Sequence, residues 1–216
     1  MSRLKVKKSK FGTIISNHII NNKREYLVVT ILFFIGLIAG VLFINYASDS
    51  QIQEINSYLT NLFNNIKSTE NINLFNLFKE SLISNITISV LLLFGASTII
   101  GIPVVYGTLI LKGFSIGYTI SSIIVSFGIG KGLIITLSLL LLHNIIFIPA
   151  IFATSVSGVK LYQSIMKNKE RQNIKFEILR HTIFCLIMLL LMIVSSIVEI
   201  YVSTNITMLL FKNIKI

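Results

Sequence analysis

The sequence predicts an all-α fold: a polytopic membrane helical bundle of about five transmembrane helices, with an extracytoplasmic amphipathic helix after the first. Three observations carry that expectation. Of 216 residues, 54% are apolar and only 12% charged, and the mean hydropathy is +0.84, whereas about a quarter of a soluble domain is charged. Several uncharged stretches approach or exceed the roughly 20 apolar residues that cross ~30 Å of hydrocarbon. Nineteen Lys and Arg against eight Asp and Glu give a net charge of +11. These cations flank the apolar stretches, which makes the lipid bilayer their partner and not nucleic acid. The lone cysteine, Cys185, sits inside an apolar run, which excludes an intramolecular disulfide framework and a cysteine-rich metal site.

A basic leader, residues 1–25, precedes a single membrane domain, residues 26–216. The first span, about 26–46, follows Lys23, Arg24 and Glu25 and ends before Asp49. It starts too late, after too long a leader, to be a cleaved signal peptide. The second, about 82–111, is over-long and interrupted by Gly101 and Pro103. The third, about 113–130, is short and rich in Gly and Ser, so a full span competes with a re-entrant helix. Its Gly113 and Gly117 form a small-xxx-small pair that permits close helix approach. The fourth, about 132–159, contains His143 and Pro149, and the fifth, about 182–211, is uncharged except for Glu199.

Basic residues set the expected orientation. Seven lie in the leader, six between Lys160 and His181, and Lys112 joins them, against Lys67, Lys79, Lys131, Lys212 and Lys215 on the other side. Positive charge is retained in the cytoplasm, so the N-terminus is expected inside and the 47–81 loop outside. In that loop Ile52, Ile55, Leu59, Leu62, Phe63 and Ile66 recur at helical spacing. The stripe either lies over the bundle and the lipid interface or forms a docking face for an extracytoplasmic partner.

Few residues suit chemistry. His143, Asn144 and Glu199 are expected in the hydrocarbon, where polar groups turn to the bundle interior and mark functional sites. Pro149 leaves the Ile145 carbonyl without its usual donor. A His143–Glu199 pair would offset two desolvation costs, but two ligands do not make a zinc site. No P-loop, HExxH or GxSxG run occurs. No enzyme, metal or cofactor is therefore expected.

The run GIPVVYGTLILKGFSIGYT at 101–119, with LLHNIIFIPA at 141–150 and SSIVEIYVST at 195–204, resembles the stage II sporulation protein M (SpoIIM) family. Asn85, Gly95, Gly101 and Pro103, then Lys112, Gly113, Phe114 and Gly117, look like that family's signature, and Pro149 and Glu199 follow in order. The wider family often has a PHGxxE-like stretch where this sequence has Leu142, Asn144 and Phe147, which removes a carboxylate facing His143. The resemblance implies a non-enzymatic membrane scaffold of sporulation, in the mother-cell membrane at the septum. It implies partners too: SpoIID-like and SpoIIP-like peptidoglycan hydrolases, which remodel septal peptidoglycan during engulfment. A homo-oligomer is left open. The competing reading is a membrane transporter or permease that uses the broken helices and the buried polar residues.

Overall fold

The computed structural model describes residues 17–68, 74–98, 100–167, 171–203 and 205. Six helices follow one another: α1 Lys23–Asn45, α2 Asp49–Ser68, α3 Leu74–Ala96, α4 Gly101–Thr136, α5 Leu142–Lys167 and α6 Arg171–Val198. A helical stretch at 17–21 precedes α1, and π-helical turns occupy Leu137–Leu141 and Glu199–Ser203. Five helices, all but α2, are long and apolar enough to cross a membrane. Their outer faces suit lipid: Leu27, Ile31, Phe34 and Ile38 of α1 are all exposed on one helical stripe.

The core centres on α5, half of whose apolar stretch is buried. Phe147, Ala150, Ile151, Val156 and Val159 meet Val29 of α1, Leu92 of α3, Val105 and Leu109 of α4, and Met192 of α6. Lipid tails are as apolar as leucine, so close packing has to supply what the hydrophobic effect does not. Between α1 and α4 the means is two interlocked glycine pairs. A Cβ on Gly36 or Gly40 would fall on the backbone carbonyl of Ile110 or Phe114. Reciprocally, one on Gly113 or Gly117 would fall on the carbonyl of Phe33 or Leu37.

The helices divide differently from the uncharged runs. The second run splits at residues 97–100, where the chain turns between α3 and α4. Pro103 then lies in the first turn of α4, where a missing N–H costs no helical bond. From Gly101 the helix runs without a break through Lys112 to Gly128, so the second and third runs meet inside one helix and no boundary lies between them at Lys112. Lys112 is a correction to the sequence reading: it stands about 16 Å along α4, not in a loop at the basic pole. Gly128, with φ 77°, breaks α4, and only glycine adopts that conformation readily. The chain reverses there, because a Cβ on Gly132 would meet Ile124 Cα at 2.7 Å. The last helix begins at Arg171, so it takes up Lys175 and Arg180 from the expected basic connection.

Two poles result. Residues 17–24, 160–167 and 171–180 lie at a basic pole together with residues 97 and 98, and α2, Gly128 and Glu199–Ser203 lie at the other. At that second pole Ser48 opens α2: its N–H donates to Gln51 Oε1 at 3.0 Å, as in a capping box. Leu59 packs against the Ile123–Ile135 cluster, and Ser126 Oγ donates to Asn56 Oδ1 at 2.6 Å.

Candidate functional site

A polar cluster joins α3, α4, α5 and the end of α6 inside the bundle. His143 is 6% exposed, and its Nδ1 lies 3.4 Å from Glu199 Oε2, 3.3 Å from the Ser195 carbonyl and 2.7 Å from Ser195 Oγ. Carboxylate and carbonyl only accept, so Nδ1 carries the proton. Ser195 Oγ donates in turn to the His143 carbonyl at 3.0 Å. Ser81 Oγ donates to Glu199 Oε2 at 2.5 Å and lies 3.0 Å from Ser196 Oγ. Asn85, 2% exposed, donates through Nδ2 to Ser196 Oγ at 2.7 Å and to the Met192 carbonyl at 3.2 Å. These bonds tie α3 to α6 and α6 to α5.

Lys112 supplies the positive charge. Its Nζ stands 4.6 Å from the centre of the Phe147 ring, an attractive cation–π geometry, and it interacts electrostatically with both Glu199 and His143. The His143 ring stacks on the same phenylalanine, with centroids 5.2 Å apart. Glu199 is partly open, its side chain 35% exposed against 8% for His143, at the pole away from the basic one.

Ser195, His143 and Glu199 have the composition of a hydrolytic triad but not its connectivity. A triad places serine and carboxylate on opposite ring nitrogens, so that the imidazole takes the serine proton on one while the carboxylate holds the other. Here both sit on Nδ1. No group of three or more His, Cys, Asp or Glu able to hold a metal occurs among the described residues.

The remaining expected residues fall into place unequally. Asn144 donates to the Leu140 carbonyl at 2.8 Å, beside the π turn, and not to the Ile145 carbonyl freed by Pro149. Its Oδ1 is buried without a hydrogen-bond partner. Pro149 itself is exposed. Gly95 faces the Val104 side chain and Gly101 the Tyr162 ring, while Phe114 packs edge-on against Phe43 at 5.7 Å. Sequence reasoning missed Ser81, Ser195 and Ser196, as well as Gly36 and Gly40. A usable signal existed in Ser195 and Glu199, four residues apart and therefore on one helix face.

The stripe of α2 forms a second feature. Ile55, Leu59 and Leu62 turn towards the outer ends of α1 and α4; Leu59 closes on Ile123 of α4, whereas Leu62 stays 39% exposed. Between lies an apolar cavity of about 570 Å³, also lined by Phe43, Tyr58, Tyr118 and Ile123. Ser122 Oγ lines it too, buried and without a hydrogen-bond partner. Ile52 is half-buried, and the side chains of Phe63 and Ile66 lie outside the described residues.

The family profile described as "Stage II sporulation protein M" matches residues 29–204, from α1 to the end of the last helix. The chain belongs to the SpoIIM family. Among curated proteins it is similar to uncharacterized protein MJ0793 of Methanocaldococcus jannaschii, 27% identical over 188 residues, covering 85% of this chain and 96% of the relative. No solved structure matches. The region matched to SpoIIM includes both the Lys112–Gly113–Gly117 segment of α4 and the His143–Glu199 cluster.

Proposed function

We propose that this SpoIIM-family protein is a non-enzymatic membrane scaffold of the sporulation engulfment machinery. It anchors SpoIID-like and SpoIIP-like peptidoglycan hydrolases at the septum. The observation that carries the reading is the cavity beneath α2. An amphipathic helix pinned to the bundle through Leu59 and Asn56 still offers a partner its exposed apolar edge and a recess of about 570 Å³, a shape suited to an inserted aromatic or aliphatic anchor. Support for orientation comes from charge: without Lys112, thirteen of the nineteen basic residues still lie in the leader and the 160–180 connection. That bias favours a cytoplasmic N-terminus, with α2 on the side where peptidoglycan lies. The polar cluster then serves as an internal stitch between helices, consistent with a protein whose partners do the cutting.

The test is co-purification. Epitope-tagged protein extracted in mild detergent from sporulating cells is expected to bring the wall hydrolases with it, and α2 variants are expected to release them. Recovery of the tagged protein without any wall hydrolase would defeat the scaffold. A second reading, transport, rests on one observation: Glu199 combines contact with the buried cluster and 35% exposure. Solute flux in proteoliposomes that disappears in Glu199→Gln would favour it.

A further inference from the structure

At the basic pole, away from both features above, residues 18–22 pack against α5 and α6 around a cavity of about 360 Å³. Its walls are His18, Asn21 and Asn22 from the start of the chain, Ser157 and Lys160 from α5, and Arg180 and Phe184 from α6. We propose that this cavity binds the phosphate of an anionic phospholipid in the leaflet at the basic pole.

Charge is the first argument. Two cations from different helices converge on one recess. Asn22 Nδ2 already donates to the His18 carbonyl at 2.7 Å and Ser157 Oγ bonds His181 Nδ1 at 2.9 Å, so Lys160 and Arg180 are the groups that would meet an anion. Among the described residues Arg180 pairs with Glu177 at 2.7 Å, which engages only part of a guanidinium with five N–H donors. His18 senses the same field: burial first, then Lys160 and Arg180, hold its imidazole below the usual histidine value. A bound anion would relieve that repulsion.

Depth is the second argument. Lys160 and Arg180 are the cations next to the points where the uncharged runs end at Val159 and begin at Thr182. The cavity therefore sits at headgroup level, where basic pockets between helices hold lipid phosphates.

Continuity with the lipid face is the third. Phe184 stacks on His18 with centroids 5.1 Å apart, closing the cavity on the hydrocarbon side. Ile187 and Leu191, 47% and 43% exposed, extend that stripe along α6 at helical spacing. A phosphate in the cavity would leave acyl chains lying on it. Free inorganic phosphate offers the same charge but has no use for this stripe.

The test uses the full-length protein in nanodiscs of phosphatidylcholine doped with phosphatidylglycerol, with retained phosphatidylglycerol counted after detergent extraction. Lys160→Gln with Arg180→Gln is expected to lower retention about tenfold. Lys23→Gln with Lys175→Gln removes the same charge from exposed positions of the same pole and is expected to retain the lipid. Excess inorganic phosphate should not displace it. Equal loss in both double variants, no loss in the cavity variant, or full displacement by phosphate would each overturn the proposal. Should the cavity double variant fail to accumulate, Arg180→Gln decides alone. Its side chain is 72% exposed, so folding survives, and retention at the wild-type level would overturn the assignment.

Discussion

His143 Nδ1 and Glu199 Oε2 lie 3.4 Å apart, joining the start of α5 to the turn that ends α6. The carboxylate also takes the Ser81 hydroxyl, and Lys112 stands in its field. Such a cluster is stable only while its charges are complementary, because a lone ion in a low-dielectric interior is costly.

The first prediction follows from that balance. Glu199→Gln should leave Lys112 uncompensated, and Lys112→Met should remove the cation in the field of Glu199. Removing one partner of a fully buried pair costs roughly 3–5 kcal/mol. Because Glu199 is 35% exposed, each single change here is expected to cost less, on the order of 2 kcal/mol. The double variant should lose less stability than the sum of the two single losses. Thermal unfolding in detergent of the four proteins measures the coupling, and strict additivity would show that the two residues do not act as a pair.

That Lys112 escaped the sequence reading has a physical reason. Charge marks the end of a span only where the side chain reaches water, and a lysine that finds a carboxylate and an aromatic face inside the bundle breaks the rule. The five-span count survived because one false boundary, at Lys112, replaced a true one at residues 97–100. His143 and Glu199 were legible as isolated ionisable groups in apolar runs. Ser81 and Ser196 were not, since serines are common in membrane helices and only the packing of α3 on α6 gives these two a partner. Gly36 and Gly40 hid for a similar reason: their use depends on which helix α1 meets.

The second prediction concerns that meeting. Gly36→Leu or Gly113→Leu would drive a side chain into the facing backbone carbonyl, and overpacking costs typically about 1–3 kcal/mol, more where backbone must move. Both should reduce accumulation in the membrane. A Cβ on Gly107 would meet nothing within 4 Å, and its φ is ordinary for a helix. Gly107→Ala should therefore be neutral or stabilise by up to about 1 kcal/mol. Tolerance of leucine at Gly36 and Gly113 alike would mean that α1 and α4 do not touch through these residues.

A third expectation concerns the leader. His18 lies below its ordinary value of 6.5 through burial and the nearby Lys160 and Arg180. Its neutral form is thus favoured in the folded protein. The stability this gives is fully present above pH 6.5 and is lost as pH falls through the folded value. Mild acidification should loosen residues 17–21 from Phe184, seen as faster proteolysis of the leader. His18→Phe keeps a ring against Phe184 and should abolish the pH dependence.

Orientation is open to a direct fourth test. In a Cys185→Ala background, single cysteines at Ser57 and Lys175 report on the two poles. Both positions are exposed. An impermeant thiol reagent applied to intact cells should label the cysteine at 57 and spare the one at 175 until the membrane is opened. The reverse pattern would invert the protein and remove α2 from the side of the wall.

The last prediction separates docking on α2 from simple covering of the bundle. Tyr58 and Leu62 line the cavity yet remain 65% and 39% exposed, whereas Leu59 packs on Ile123. If a hydrolase anchors here, Tyr58→Glu with Leu62→Glu should abolish co-purification while the protein accumulates normally. Burying an apolar side chain of this size is worth roughly 1.5–3 kcal/mol, so losing two weakens a micromolar contact by about two to four orders of magnitude. Leu59→Ala should act in the opposite sense. It empties a contact within the bundle, so protein level falls and the amount of hydrolase bound per surviving molecule stays constant. The decisive quantity is that ratio, measured in the same extract for all variants. A ratio unchanged by the Tyr58, Leu62 double substitution would leave α2 as a lid on its own membrane domain, with the hydrolases recruited elsewhere.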